Sequence, residues 1–183
     1  MRIRDKIEFV ALLIAAALVL YLFYDVYIKK GLFAKPESLK AKFIPDFLLS
    51  DLEDNVHDSK KIIGLSPFTL FVFFSPSDCA PCLLERELWK EISDSNKVNI
   101  IGIARHVDKR ELKDWIENSE ISFLVLYDEK SMLTEKLGID KTPLKLLTDN
   151  RGNILFIDNV RATRSEQKVF VNKLDELLGL FSK

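Results

Sequence analysis

The N-terminal part of the chain contains an uncharged apolar run. Residues 9–24 carry no charge, and the run resumes for three residues after Asp25. At about 1.5 Å per residue, a helix over residues 9–28 would span roughly the 30 Å hydrocarbon core of a bilayer. Asp25 lies near one end of this run, where a charge reaches the headgroups at far less cost than at the midplane. The pattern predicts a membrane anchor within residues 1–30.

A cleaved signal peptide is the alternative interpretation of this run. Such a peptide ends its apolar stretch at a small-residue cleavage site, whereas the alanines at 15–17 lie in the middle of the run. We therefore favour a retained, single-pass anchor in the cytoplasmic (inner) membrane. Basic residues flank the apolar run on both sides, so the distribution of positive charge gives little indication of the direction in which the anchor crosses the membrane. Because long domains translocate with little regard to charge, we expect the domain to face the periplasm or cell exterior.

The rest of the chain reads as a linker over residues 31–42 and one globular domain over residues 43–183, in which strand and helix patterns alternate. The predicted elements are a hairpin over 47–56, a strand over 69–74, a helix over 81–92, a strand over 98–104, a helix opened by Asp108, a strand over 123–127, a helix over 131–137 ended by Gly138, a hairpin of strands 144–147 and 154–157, and a helix from Thr163. This order predicts an α/β sandwich around a mixed sheet.

Composition narrows the possible functions. The 27 Lys and Arg residues nearly balance the 28 Asp and Glu residues, which argues against a nucleic-acid-binding protein. Two cysteines cannot build a multi-disulfide framework or a Cys-rich zinc site. The sequence has only His57 and His106 as histidines, and we expect both at the surface or in turns.

Both cysteines fall in the sequence Cys79-Ala-Pro-Cys82, where a buried strand is predicted to turn into a helix. Backbone N–H groups and the positive end of the helix dipole stabilise a thiolate on the first cysteine. An unperturbed thiol of pKa near 8.5 is only about 3% thiolate at pH 7. The spacing also brings the two sulfurs within disulfide reach across one helical turn. One cysteine can attack a disulfide and the other can resolve the mixed disulfide.

Half of a metal site is the alternative for an isolated CxxC sequence. Such a site normally needs a second pair of ligands, and no further cysteine exists. A copper site that uses one histidine is conceivable, but no spacing places His57 or His106 near the loop. The sequence therefore favours a redox dithiol, with no metal and no cofactor.

Glu85 is the one charged residue on the wrong face of the predicted helix. At 100° per residue, it falls inside the apolar arc formed by Leu84, Leu88, Trp89 and Ile92. It also lies one turn after Cys82. We expect a partly desolvated carboxyl with a raised pKa, placed to exchange a proton with the Cys82 thiol. The alternative is a carboxylate at the rim that reaches water or pairs with a lysine.

Thr142 and Pro143 separate the helix end at Gly138 from the strand that begins at Leu144. A proline that opens a strand fits either an edge position or a cis peptide bond.

Four segments in this order resemble the thioredoxin superfamily, in particular its membrane-anchored TlpA/ResA-type thiol–disulfide oxidoreductases. Residues 44–51 are similar to the opening hairpin of these proteins, and residues 71–82 to their strand and active-site loop. Residues 138–143 match the cis-proline segment, and residues 149–152 match the hairpin that follows it. Glu85 stands at the position of the active-site acid. The resemblance covers about residues 43–160.

The resemblance implies a thioredoxin-like fold and a role for each motif residue. Cys79 would be the exposed nucleophile and Cys82 the buried resolving cysteine. Pro143 would be cis and lie beside Cys79, while the Thr142 backbone pairs with an extended substrate segment. Members of this group reduce disulfides of partner proteins outside the cytoplasm, often those of apocytochrome c in cytochrome c maturation, and receive electrons from a membrane-embedded thiol reductant.

Two features depart from the resemblance. Asp78 stands where an aromatic residue is usual in these proteins. Its carboxylate either opposes the Cys79 thiolate or caps the helix. We expect Asp78 and Pro81 to tune the redox potential, and we expect the CxPC loop together with Glu85 to favour reduction.

Residues 75–78 also resemble the peroxiredoxin (AhpC/TSA) branch, which makes a thiol peroxidase the rival enzyme. That branch carries a Thr and a Pro where this chain has Pro76 and Val72. The non-enzymatic alternative is a scaffold or copper-carrying module.

Overall fold

The computed structural model of the protein describes residues 39, 41–76 and 80–181, which belong to one compact unit, Ser38–Lys183. The strands are β1 (Leu48–Ser50), β2 (Val56–Asp58), β3 (Phe68–Phe74), β4 (Asn99–Arg105), β5 (Leu124–Asp128), β6 (Leu144–Asp149) and β7 (Ile154–Asp158). The helices are α1 (Ser59–Ile63), α2 (Ala80–Ser95), α3 (Lys109–Ser119), α4 (Met132–Leu137) and α5 (Arg164–Phe181). The predicted anchor lies outside the described residues, and within them no helix is both long enough and apolar enough to cross a bilayer.

The seven strands form one mixed sheet in the order β2-β1-β5-β4-β3-β6-β7. The three central strands, β5, β4 and β3, are parallel, and their neighbours β1 and β6 are antiparallel to them. The outer strands β2 and β7 pair antiparallel with β1 and β6. Strand β3 is buried along its whole length, as its continuous apolar sequence requires for a strand covered on both faces. The mixed α/β sandwich predicted from the sequence is confirmed.

The side chains of β3 alternate between two cores, one on each face of the sheet. Val72 and Phe74 pack with Trp89 of α2, Leu112 of α3 and Phe170 of α5. On the opposite face, the core contains Phe71 and Phe73 with side chains of α1 and α4, namely Ile62, Ile63, Leu133 and Leu137. The period of two along the strand therefore decides which helices each residue contacts.

The structure adds one element that the sequence pattern missed. The five-residue helix α1 follows β2 directly, and the Asp58 side chain caps it by accepting a hydrogen bond from the Lys60 backbone N–H. A helix this short shows too few apolar repeats to be recognised from periodicity. The predicted capping box of the last helix is confirmed, because the Glu166 carboxylate accepts from the Thr163 N–H and the Thr163 hydroxyl accepts from the Glu166 N–H.

Candidate active site

The central strand β3 is followed in the chain by helix α2, whose first turn begins at Ala80. Cys82 lies in this turn, is completely buried, and is disulfide-bonded. The sequence contains one other cysteine, Cys79, which lies with Asp78 outside the described residues. The predicted roles of these two residues stay predictions.

The surface of α2 next to Cys82 is partly apolar. Pro81 is half-buried, and the side chains of Leu83 and Leu84 are about half exposed. The helix wheel placed Leu84 in the buried apolar arc, and this expectation is wrong. Only one side of this part of α2 faces the core: Cys82 and Glu85 are buried, whereas Leu83 and Leu84 lie on the exposed side of the helix.

Glu85 is completely buried, one helical turn after Cys82. Both oxygens of its carboxylate accept hydrogen bonds from the Lys145 ammonium group, whose Nζ lies 2.7 Å from Oε1 and 2.8 Å from Oε2. The Trp89 Nε1–H donates to Oε2 at 3.2 Å, and the Arg161 backbone N–H donates to Oε1. In each of these four contacts with described residues the partner donates and the Glu85 carboxylate accepts, which suits the ionised form of the carboxylate because that form has no proton to donate.

Burial raises the pKa of Glu85, and the ammonium group of Lys145 opposes that rise. The direction agrees with the expectation from the helix wheel, although the alternative was right that a lysine pairs with this carboxylate. The pair is inside the protein rather than at its rim. A group whose charge is disfavoured by desolvation and supported by one specific partner is a candidate for proton transfer.

Lys145 is the site residue that sequence reasoning missed. It lies in β6, where the Cα register pairs it with Val72 of β3 and with Asp158 of β7. Its ammonium group also contacts the Asp158 carboxylate at 3.2 Å and donates to the Asn159 carbonyl at 2.6 Å. The signal that could have revealed it is a lysine inside an apolar strand, at a position that strand alternation turns toward α2.

A second, half-exposed cation completes this group of charges. The Arg161 guanidinium donates to the Asp158 carboxylate, with Nε 3.0 Å from Oδ1. We call Glu85, Lys145, Asp158 and Arg161 the buried charge cluster. It carries two acids and two bases, so the fully ionised cluster is neutral, which lowers the cost of placing these charges inside the protein.

The peptide bond between Thr142 and Pro143 is cis, as the resemblance implied. Pro143 is buried and Thr142 is half-buried. The next residue, Leu144, is the register partner of Phe73. Pro143 therefore lies beside the end of β3 from which the chain continues toward the CxPC sequence. The role of Thr142 and Pro143 in substrate binding stays a prediction.

The segment before Pro143 is fixed by Arg105 at the end of β4. Its guanidinium donates to the carbonyl oxygens of Ile139, at 2.6 Å, and Asp140, at 2.8 Å. These charge-assisted hydrogen bonds connect a central strand to the segment that carries the cis peptide bond.

His106 is exposed in the bend that follows β4, as expected, whereas His57 lies in strand β2 and is partly buried. The His57 ring is 2.8 Å from the Asp51 carboxylate in the first hairpin, and His106 is 3.5 Å from the Ser131 hydroxyl. Over the described ranges, no three or more His, Cys, Asp or Glu side chains are grouped as they would be to hold a metal ion.

The mixed sheet, the helices on both of its faces and the cis-proline strand define a protein of thioredoxin-like fold. Solved structures share this fold. A secreted disulfide oxidoreductase of Mycobacterium tuberculosis matches with a TM-score of 0.58 and 20% identity over 74% of this chain and 94% of that one. The thioredoxin domain of a thiol–disulfide oxidoreductase from Bacteroides vulgatus matches with a TM-score of 0.60 and 19% identity over 72% and 94%.

The chain belongs to the AhpC/TSA family, whose sequence profile matches residues 41–163. Among curated relatives, the thiol–disulfide oxidoreductase ResA of Bacillus cereus is 23% identical over 149 residues, which cover 79% of this chain and 84% of the relative. The ResA of Geobacillus thermodenitrificans is 25% identical over 127 residues, or 68% and 71%. These matches confirm the resemblance to TlpA/ResA-type proteins of the thioredoxin superfamily, and the chain is an oxidoreductase.

Proposed function

We propose that this protein reduces disulfide bonds of partner proteins through Cys79 and Cys82. The observation that carries the proposal is the position of Cys82: a disulfide-bonded sulfur, fully buried in the first turn of a helix that follows the central strand. A buried resolving cysteine cannot attack a large partner itself, but it can attack its neighbour in the active-site loop.

The proposed reaction is a two-electron exchange. The Cys79 thiolate attacks one sulfur of the partner disulfide, forms a mixed disulfide, and releases the other partner sulfur as a thiolate that takes up a proton. Cys82 then loses its proton and attacks the Cys79 sulfur. This step forms the bond between Cys79 and Cys82 and releases the second partner thiol. The partner is reduced, the CxPC pair is oxidised, and a thiol reductant must restore it.

The proposed location is the outer side of the cytoplasmic membrane. The apolar run over residues 9–28 supports an anchor, and the membrane would also hold the thiol reductant that supplies electrons. A partner class that fits is an extracytoplasmic protein with a disulfide that must be opened before use, such as apocytochrome c. Protease added to spheroplasts should digest the domain while the membrane stays intact; a domain protected until the cells are lysed would contradict this orientation.

The experiment that tests the reaction is trapping of the mixed disulfide. The full chain carrying Cys82→Ser should accumulate partners bound to Cys79 through a reducible bond, because the resolving sulfur is missing. The matched control, Cys82→Ser with Cys79→Ser, should trap nothing. Cysteine-containing partners are then identified by mass spectrometry after reduction. If Cys82→Ser traps no partner while the wild-type chain also fails to reduce insulin, the proposed exchange is wrong.

A thiol peroxidase is the second candidate, because the family profile that matches the chain bears the AhpC/TSA description. A peroxidase would consume hydrogen peroxide in the presence of a thiol reductant. We expect the purified chain to reduce insulin disulfides and to consume peroxide no faster than its Cys79→Ser variant. The opposite pattern would replace the reductase by the peroxidase. A scaffold would keep its biological role in Cys79→Ser, and a copper carrier would bind stoichiometric copper only with both thiols present.

A further inference from the structure

The buried charge cluster connects the active-site helix to the cis-proline strand. Glu85 belongs to α2, Lys145 to β6, Asp158 to β7, and Arg161 to the segment after β7. Lys145 and Asp158 are register partners on neighbouring strands, and both are buried. The cluster therefore fixes the Glu85 carboxylate relative to the sheet rather than only to its own helix.

We propose that Lys145 is a positioning residue for thiol–disulfide exchange, which holds Glu85 as the ionised acceptor for the Cys82 proton while Asp158 balances the lysine. This inference rests on the proposed function and adds to it a residue from a different part of the fold. It requires that Glu85 acts on Cys82 and that Lys145 acts through Glu85.

The geometry supports this assignment. Residues three apart on a helix are neighbours on its surface, so the completely buried Cys82 and Glu85 lie one above the other. The Lys145 ammonium contacts both oxygens of the carboxylate, at 2.7 and 2.8 Å, and so counters the charge that desolvation disfavours. Its position is itself constrained, because the Asn159 carbonyl accepts from it and the Phe170 ring centroid lies 5.1 Å from Nζ.

The surroundings of Glu85 identify which charges control it. Its own helix contributes Cys82, and β6 and β7 contribute Lys145 and Asp158. Arg161 contributes a backbone donor and a guanidinium that is paired with Asp158. From α5, Gln167 donates to the carbonyls of Leu84 and Arg161, and Glu166 acts electrostatically on Arg161.

Two variants of the buried charge cluster should shift the pH dependence of the resolution step in opposite directions. When Glu85 is ionised it accepts the Cys82 proton, so the rate of resolution rises with pH as Glu85 ionises. Lys145→Met removes the supporting cation and should shift this rise to higher pH by about one unit, or about tenfold in rate on the rising limb. Asp158→Asn removes an anion that disfavours a charged Glu85, so it should shift the rise to lower pH.

The experiment uses the reduced full chain and oxidised glutathione as the probe. Samples quenched with acid at successive times are analysed by mass spectrometry, which separates the glutathione mixed disulfide from the internal disulfide. In Lys145→Met the mixed disulfide should persist near neutral pH and resolve normally in alkali. The control is Lys113→Met, which removes a lysine from the exposed pair with Glu117 on α3, and its pH profile should match the wild type.

Two outcomes would overturn the assignment. One is an unchanged pH profile in Lys145→Met, or in Asp158→Asn should Lys145→Met fail to fold. The other is an added effect of Lys145→Met in a chain that already carries Glu85→Gln, because a residue acting only through Glu85 should then change nothing. Failure of the proposed function is distinct: the wild-type chain would form no mixed disulfide with glutathione at any pH.

Discussion

Arg105 and Asp140 connect the central sheet to the cis-proline segment, since the guanidinium of Arg105 donates to the Asp140 carbonyl at 2.8 Å and to that of Ile139 at 2.6 Å. A parallel strand thus fixes the backbone that leads to Pro143. We expect Arg105→Met to cost about 1.5–3 kcal/mol of unfolding free energy, the usual contribution of hydrogen bonds to a charged group.

A local measurement separates this effect from a general loss of stability. Amide hydrogen exchange at residues 139–142 should accelerate in Arg105→Met, while exchange within β3 changes only as far as global stability falls. Arg110→Met serves as the control, because Arg110 is exposed on α3. Unchanged exchange at residues 139–142 would show that Arg105 does not hold this segment.

Glu85→Gln should change the titration of Cys82. In a Cys79→Ser background, Cys82 is the only thiol, and its ionisation is followed by the ultraviolet absorbance of the thiolate. Replacing the buried carboxylate next to it removes a negative charge that disfavours the Cys82 thiolate. We therefore expect the pKa of Cys82 to fall in Glu85→Gln.

The control for this titration is Glu87→Gln, which alters a half-buried carboxylate paired with Arg86 on the same helix. It should leave the Cys82 titration unchanged. Equal titrations in Glu85→Gln and in the parent would limit Glu85 to a structural ion pair.

Asp51 should make folding stability depend on pH in the acid range. Burial raises the pKa of Asp51, but hydrogen bonds from His57, Asn55 and Glu53 outweigh it and lower the value from 3.8 to about 2. An acid with a lowered pKa in the folded state stabilises the protein above its unfolded pKa, and this stability is lost as pH falls through the folded value.

The predicted loss is about 1–2 kcal/mol between pH 5 and pH 2, once solvent screening is discounted. Urea unfolding of wild type and Asp51→Asn at several pH values measures it as a difference between the two proteins. That difference should shrink as the pH falls. A difference that stays constant over this range would show that the hairpin carboxylate is not specifically stabilised.

Two glycines provide a matched test of packing. A Cβ at Gly102 would lie 3.0 Å from the Phe74 ring, 3.1 Å from Val125 and 3.2 Å from the Phe123 ring. Gly102→Ala should therefore destabilise the protein by about 1–3 kcal/mol. At Gly179, in α5, no atom of the described residues outside the neighbouring helix backbone lies within 4 Å of such a Cβ.

Gly179→Ala should instead stabilise the protein by about 0.5–1 kcal/mol, because alanine loses less conformational entropy in a helix. Thermal or urea unfolding of both variants checks the two signs. A neutral Gly102→Ala would mean that the aromatic side chains around β4 can move apart without cost.

Much of the fold follows from local sequence pattern. The continuous apolar run at 69–74 predicts a strand covered on both faces, and β3 is such a strand. Helix starts were equally readable, because Asp108 and the Thr163–Glu166 capping box satisfy backbone donors within a few residues. These features depend on neighbours in the chain, which is why the sequence alone reveals them.

In the candidate site, fewer features follow from local sequence pattern than in the fold. The sequence by itself determined the CxPC spacing and the odd position of Glu85 on its helix. Only the tertiary structure decided that Lys145, 60 residues later, is its partner, because this contact needs β6 to pair with β3 and α2 to pack on the same face. The exposure of Leu84 and the cis bond before Pro143 were likewise decided there, since burial and peptide isomer depend on surfaces that distant segments create.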